Sequence, residues 1–424
     1  MLDIKLIREN PEIIKKDLEK RNAQEKLSWL DDCIKKDKEY RKLLQEAQEL
    51  RAKRNKVAEE INQLKKQGKD PKKALADAKL IPQKIAEIES KTNMLKEEIT
   101  SYQMRLPNIL HESVPVGNDD SDNVEIKRWG KPPVFHFPAK NHQELAESLG
   151  LADFERAAKV SGAGFYYLKG NLAKLDHALQ RFAIDHLTGK GYTLVEPPLM
   201  LKRKPYEGVT DLSDFESVMY KVENDDLYLI ATAEHPMAAM FMDEVFEKKD
   251  LPVRLVGISP CFRREIGAHG KYTKGLFRVH NFHKVEQFIF CHPNESWKFH
   301  EELQRNSEEL YEKLGLHYRV VNICTGDIGS IAAKKYDIEV YMADGVFRES
   351  GSNSNCTDYQ ARRLNVRFRE KEGTAVVGPV HTLNNTALAT SRTMIAVLEQ
   401  YQRKDGSVEI PEALVPYMNG LKRL

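Results

Sequence analysis

The stretch from Cys261 to Phe290 reads C-F-R-R-E-I-G-A-H-G-K-Y-T-K-G-L-F-R-V-H-N-F-H-K-V-E-Q-F-I-F. An apolar lead-in, Val253 to Ile258, precedes it, and Val285, Phe288, Ile289 and Phe290 close it. Gly267, Gly270 and Gly275 lie between. The pattern predicts two antiparallel strands joined by a long, mobile hairpin loop. Side chains alternate with period two along a strand, so Arg263 and Glu265 share a face, as do Arg278, Phe282 and Glu286 on the return strand. One surface then carries two guanidinium groups, two carboxylates and a ring. Arg captures phosphate or carboxylate with two parallel hydrogen bonds. A ring between charges offers a base a stacking face, and carboxylates hold an ammonium group or a phosphate-borne metal ion. The stretch fits a site for a nucleotide and a small zwitterion. From these residues alone, a solvated, salt-bridged outer sheet face stays open.

Working outward, 424 residues suffice for two or three domains with real cores. Charged residues are 31% of the chain, yet the net charge is only +2, which excludes a global polycation. Cys33, Cys261, Cys291, Cys324 and Cys356 form no CxxC pair and read as reduced thiols rather than a zinc framework. The N-terminal Met-Leu-Asp-Ile-Lys is charged too early for a secretory signal, and no apolar run approaches the ~18 residues of a membrane span. A cytoplasmic protein is expected.

Residues 27–104 hold almost no Gly or Pro outside Gly68–Pro71 and Pro82. Leu43, Ala47, Leu50, Val57, Ile61 and Leu64 recur in 4-3 spacing before the break. Ile81, Ile85, Ile88, Leu95, Ile99 and Tyr102 do so after it, with Arg54 and Thr92 interrupting the seam. An antiparallel coiled coil roughly 60 Å long is predicted. Pro82 predicts a start or kink of the second helix, with a less regular tip over 72–80. Arg51 to Lys79 carries ten basic residues against four acidic ones, so the remainder of the chain is net negative. Such a tip is a handle for a phosphate backbone or a solubilising helix surface. Pro107 ends the arm and places a boundary near residue 108.

From residue 140 onward there is no βαβ rhythm, and an α+β domain on an antiparallel sheet is expected. Leu175–Leu187 reads as an amphipathic helix, followed by G-Y-T-L-V-E-P-P-L-M over 191–200. Leu227–Ala231 reads as a strand entering Thr232-Ala233-Glu234. If extended, that tripeptide sets a hydroxyl and a carboxylate on one side; as a bare tripeptide it is usually a helix cap. Phe347–Asn355 reads as a turn-rich loop. H-T-L-N-N-T-A-L-A-T-S-R over 381–392 opens a helix on Met394, Ile395, Leu398 and Tyr401, and puts Arg392 at a positive helix end that suits phosphate.

Together these segments resemble the class II aminoacyl-tRNA synthetases, and in detail the seryl-tRNA synthetases. F-R-R-E…R-V-H-N-F-H-K-V-E is similar to motif 2, 175–200 to motif 1 and 381–392 to motif 3; D-Y-Q-A-R-R-L-N-V-R over 358–367 is a further match. The resemblance implies a tRNA-binding domain over 1–108 with a coiled-coil arm and a class II catalytic domain over 109–424. It also implies a homodimer through motif 1, with no membrane. ATP and Mg²⁺ would activate L-serine for transfer to tRNA(Ser), with tRNA(Sec) as a second tRNA left open. Arg263, Glu286 and Arg392 would be catalytic. Arg263 would bridge the serine carboxylate and the α-phosphate, with Arg264, Glu265 and the backbone around Val279 at the nucleotide. Phe282 and Arg392 would sandwich adenine, and Arg278 and Arg392 would meet the outer phosphates. Glu349, Ser350, Gly351 and Ser352 would serve ATP, with Mg²⁺ at Glu349 and Ser352. Thr232, Ala233 and Glu234 would line the serine pocket, Glu286 would take the ammonium and hydroxyl, and Asn384 and Thr386 would assist. In the arm, Arg51, Arg54, Lys65, Lys66, Lys69, Lys72 and Lys73 would grip the long variable arm of tRNA by shape.

The sequence departs from the family pattern in two places. Ser350-Gly351-Ser352 stands where apolar-Ser-Ser is usual. Ala387, Ala389 and Ser391 replace motif 3 glycines, and Thr386 replaces a common Ser. Two other functions compete: a synthetase-like ligase that loads an amino acid onto a carrier protein, which has no use for a basic arm, and a non-catalytic coiled-coil nucleic-acid-binding protein, which leaves the charged motif residues without purpose.

Overall fold

The computed structural model describes residues 1–211, 215–265 and 275–424. Gly267 and Gly270 of the predicted hairpin loop lie outside the described residues. The chain divides into two compact units, Met1–Pro107 and Asn108–Leu424.

The first unit holds α1 (Ile4–Glu9), α2 (Pro11–Lys20), α3 (Glu25–Lys66) and α4 (Lys72–Arg105). The latter two are the arm. Their seam buries Ala47, Val57 and Ile61 on one helix and Ile81, Ile85, Leu95 and Ile99 on the other, the period-3.5 packing that the 4-3 spacing demands. Lys36–Glu98, Arg51–Glu89 and Lys91–Glu39 cross the seam at 2.7, 2.6 and 2.6 Å. Exposed pairs of this kind contribute little; the aliphatic stripe holds the arm. One expectation is corrected here. Residues 72–80 are regular helix, and α4 runs through Pro82. Proline removes one backbone bond at a cost of about 3 kcal/mol, and the cluster of Val57, Ile61, Ile81 and Ile85 around it offsets that.

The second unit is built on an eight-stranded sheet. Its strands are β1 (Val124–Trp129), β2 (Thr193–Val195), β3 (Val253–Phe262), β4 (Asn281–Cys291), β5 (Tyr318–Asn322), β6 (Lys334–Tyr341), β7 (Phe347–Thr357) and β8 (His381–Ala389). Their order is β1-β5-β6-β7-β8-β4-β3-β2. Every pairing is antiparallel except the edge pair of β2 with β3. Helices α5 (Gly170–Thr188), α7 (Ser296–Lys313) and α8 (Thr390–Gln400) share a core with one face through Leu179, Leu303 and Ile395, and Val285 and Ile289 of β4 belong to it. The alternate residues Phe288 and Phe290 enter a second core with Met237 of α6 (Glu234–Ala239). Lys284 and Glu286 continue that second face toward the start of β4. Among the described residues no helix is long and apolar enough to cross a membrane.

Two further expectations change, and the helix-cap reading of a third segment is the one observed. Phe347–Asn355 is not a loop but most of β7: its small polar residues alternate between the two faces of an interior strand. A bulge at Ser350, where the register with β6 shifts, breaks the alternation. The motif 2 strands stop at Phe262 and restart at Asn281, so Arg263, Glu265 and Arg278 lie beyond the ladder and outside its period-two count. Thr232-Ala233-Glu234 is not extended; Ala233 is helical and caps α6.

Candidate active site

The open part of the second sheet face floors a cleft of about 730 Å³. Register builds its central row: Thr386 pairs with Glu286, and Glu286 with Gly257. Asp337 pairs with Ser352 on the neighbouring strands. Gly257 is glycine for a local reason. A Cβ there would lie 2.9 Å from Ala233 Cβ and 2.8 Å from Met237 Sδ, so its absence lets α6 settle onto the sheet. That settling carries Thr232 and Glu234 to the cleft wall.

Glu286 is 1% exposed, and its Oε2 accepts from Thr386 Oγ1 at 3.3 Å and from Lys284 Nζ at 2.6 Å. Glu234 Oε1 accepts from Asn384 Nδ2 and Gln360 Nε2, each at 3.1 Å. Burial, reinforced by the Glu286 charge, pushes the Glu234 carboxyl up to about 7. Burial likewise raises Glu286, against the pull of Lys284. Thr232 Oγ1 accepts from the Glu234 backbone N–H at 3.1 Å, a capping contact. The three side chains and Asn384 all line the cleft, as acceptors and donors suited to a small polar solute.

Arg263 and Arg278 bring guanidinium groups to the same cleft. The Arg263 backbone N–H donates to His280 O at 2.9 Å, and its side chain lies 5.3 Å from the centre of the Phe282 ring. Glu265 adopts positive φ and pairs with Arg278 at 3.2 Å. Arg392, in the first turn of α8, donates to the Glu349 carboxylate at 3.2 Å and to its backbone oxygen at 2.8 Å. The guanidinium holds the Glu349 carboxyl down at about 2. Ser352 Oγ donates to Glu349 Oε1 at 3.5 Å.

The cleft is therefore lined by Thr232, Glu234, Arg263, Glu265, Arg278 and Glu286, and on β7 and β8 by Glu349, Ser352, Asn384 and Thr386. Other expected residues lie elsewhere. Arg264 is exposed with its backbone N–H on Val218 O, and the side chain of Val279, whose backbone is the expected contact, is buried. Ala233 is a packing residue against Gly257. Ser350 is buried with its hydroxyl 2.7 Å from Tyr311 Oη. Gly351 leaves room for Thr386, whose Cβ and Cγ2 would lie 3.0 and 3.2 Å from an added Cβ. The Arg392 guanidinium lies 5.0 Å from the centre of the Phe277 ring, and that of Arg263 lies over Phe282. Arg51, Arg54, Lys65, Lys66, Lys69, Lys72 and Lys73 are exposed in the first unit.

Sequence reasoning misses Lys284, Lys335 and Asp337. Lys284 and Lys335 line the cleft; buried Asp337 has its carboxyl pushed up to about 7 by desolvation. For Lys284 the signal is present, since it stands two residues before Glu286 and must share its face.

An antiparallel sheet with Arg263 and Glu265 at one strand end and Arg392 opening a helix off another defines the core of a class II aminoacyl-tRNA synthetase. Consistent with this, residues 219–401 match the tRNA synthetase class II core domain (G, H, P, S and T), and residues 1–110 match the seryl-tRNA synthetase N-terminal domain. A serine–tRNA ligase of Methanocella arvoryzae is 59% identical over 100% of both chains. The crystal structure of seryl-tRNA synthetase from Pyrococcus horikoshii complexed with ATP superposes with a TM-score of 0.96 at 52% identity, covering 100% of this chain and 99% of that one. The cytoplasmic serine–tRNA ligase of Naegleria fowleri in complex with AMP gives 0.88 at 36%, covering 100% and 98%. The chain belongs to the seryl-tRNA synthetase family, the serine–tRNA ligases of class II. Neither the carrier-protein ligase nor the non-catalytic protein survives that membership.

Proposed function

We infer that the cleft joins L-serine and ATP into seryl-adenylate and then passes the seryl group to tRNA(Ser). A serine carboxylate oxygen attacks the α-phosphorus, the bond to the bridging oxygen breaks, and pyrophosphate leaves. A terminal ribose hydroxyl of the tRNA then attacks the seryl carbonyl and AMP leaves. No protein nucleophile is needed; alignment and charge stabilisation supply the rate. The observation that carries this reading is that one cleft is lined both by Glu234, Glu286 and Thr386 and by Arg263. A zwitterion bearing a hydroxyl satisfies both.

In this assignment Glu234 and Thr232 hold the serine ammonium, and Glu286 with Thr386 meets the hydroxyl. Arg263 spans the serine carboxylate and the α-phosphate. Glu265 and Arg278 serve the nucleotide, and Arg392 serves the outer phosphates once released from Glu349. Phe282 offers its ring to adenine. Among the described residues no group of three or more His, Cys, Asp or Glu side chains could hold a metal ion. Glu349, kept ionised by Arg392, with the Ser352 hydroxyl beside it suits Mg²⁺ carried in on phosphates, which favours one or two carboxylates plus water. When bound, Mg²⁺ would neutralise charge on the leaving pyrophosphate.

The arm of unit 1 takes the tRNA in this reading. Shape-based grip needs a long variable arm rather than particular bases, which makes tRNA(Sec) a second substrate to assay beside tRNA(Ser). Leu194, Leu199 and Met200 of the motif 1 segment remain 43, 41 and 42% exposed, as an isologous dimer face would require. Five buried free cysteines suit a reducing cytoplasm.

ATP–pyrophosphate exchange across the twenty amino acids tests the activation step. A site whose buried polar groups await a hydroxyl rejects the deoxy analogue by about 10⁴–10⁵. Exchange with serine and almost none with alanine is expected. Comparable exchange with both, or none with serine, overturns the assignment.

A further inference from the structure

Lys284 and Glu286 leave the same face of β4 and form an ion pair with 7% and 1% of their side chains exposed. Lys284 Nζ also lies 3.4 Å from Thr386 Oγ1, completing a triangle in which Glu286 Oε2 takes both donors. The contacts to Lys284 and Thr386 both end on Oε2, and the Glu286 side chain lines the cleft. A buried ion pair is often no more stable than two apolar residues of the same volume. Packing alone therefore does not call for Lys284.

We propose that Lys284 is a specificity-determining residue: by pinning Glu286 through Oε2 it leaves Oε1 as a fixed acceptor for the substrate hydroxyl and directs the substrate ammonium to Glu234. The inference rests on the proposed activation of serine in this cleft. The charges support it. The Glu286 charge disfavours ionisation of Glu234. A zwitterion brings one ammonium, which can serve only one of them, and Arg263 is committed to the carboxylate end. With Lys284 present both carboxylates have a cation, and Glu286 accepts a hydrogen bond from the hydroxyl without also binding the ammonium. Without it, one of the two takes a proton. A neutral Glu286 no longer discriminates strongly between a hydroxymethyl and a methyl side chain, because a carboxylic acid left unpaired is less costly than a carboxylate.

The test is a double-mutant cycle on the full chain with Lys284→Met, Glu286→Gln and both, read by serine- and alanine-dependent pyrophosphate exchange and by the KM for ATP. Lys284→Met should lower kcat/KM for serine about a hundredfold and leave alanine nearly unchanged, so that the serine-to-alanine ratio collapses. In the Glu286→Gln background the same change should cost less than about threefold. An equal fall for serine and alanine, or the full effect persisting in Glu286→Gln, overturns the proposal. If Lys284→Met does not fold, Lys284→Gln carries the same comparison, since its amide is uncharged. Absence of serine exchange in the unsubstituted protein would instead overturn the reading on which the proposal rests.

Discussion

Gly257→Ala isolates the contact that brings α6 to the sheet. The added methyl would stand 2.9 Å from Ala233 Cβ and 2.8 Å from Met237 Sδ and Cε. Met237 is flexible and can yield. Ala233 cannot, because it is a backbone-anchored Cβ at the start of a helix. Restoring ordinary contact near ~3.6 Å moves that helix start outward by roughly 0.7 Å. Overpacking of this size costs about 1–3 kcal/mol, which for a unit of this length lowers Tm by about 2–4 °C. The functional effect is larger than the stability effect. Thr232 and Glu234 flank Ala233 and must move with it, and a misplacement near 1 Å costs about a hundredfold. In pyrophosphate exchange, KM for serine should rise ten- to a hundredfold while KM for ATP changes less than about twofold, since Arg263 and Glu349 are carried by other elements. Gly378→Ala, where an added methyl meets nothing within 4 Å, is the control. A serine KM that stays at the control value despite the expected drop in Tm would refute the claim that Gly257 positions the ammonium site.

Other outcomes follow from the same geometry. Glu234 binds a proton in the folded protein up to about 7, against 4.5 ordinarily, so the unliganded protein loses stability as pH rises between those values. Serine ammonium requires the ionised form; kcat/KM for serine should therefore fall about tenfold per pH unit below 7, and Glu234→Gln should flatten that limb. Glu349→Gln removes the ion pair with Arg392 and the ionised oxygen proposed for Mg²⁺, and should shift the Mg²⁺ concentration for half-maximal exchange upward by about tenfold. Replacing Lys65, Lys66, Lys69 and Lys72 by Ala should weaken tRNA binding and reduce the slope of log K against log salt by about 0.7–0.9 for each phosphate no longer neutralised, with serine exchange unchanged.

The sequence is most legible where one periodicity governs a long run. The 4-3 seam of the arm and the alternation of β4 both follow from where aliphatic side chains must go. It is less legible at element ends. Period two assigns Arg263, Glu265 and Arg278 to strands because nothing in the sequence marks where the ladder stops, although they reach the cleft from beyond it. Thr232-Ala233-Glu234 is ambiguous between an extended segment and a cap, and the deciding contact, Gly257 against Ala233, spans two distant segments. Phe347–Asn355 misleads because its Ser, Gly and Asn residues carry turn propensity, which tertiary pairing with β6 and β8 overrides. Pro82 misleads in the opposite sense: a strong local breaker gives way to the seam. Lys284 is hidden in the sequence by the more conspicuous charge of Glu286, although the same period-two argument places both on one face.

The most direct measurement is a crystal structure with a non-hydrolysable seryl-adenylate analogue. The ammonium should lie within hydrogen-bond distance of Glu234, the hydroxyl on Glu286, and the linking phosphate group on Arg263. A ligand that places its ammonium on Glu286, or that binds away from the floor formed by β4, β7 and β8, contradicts the assignment.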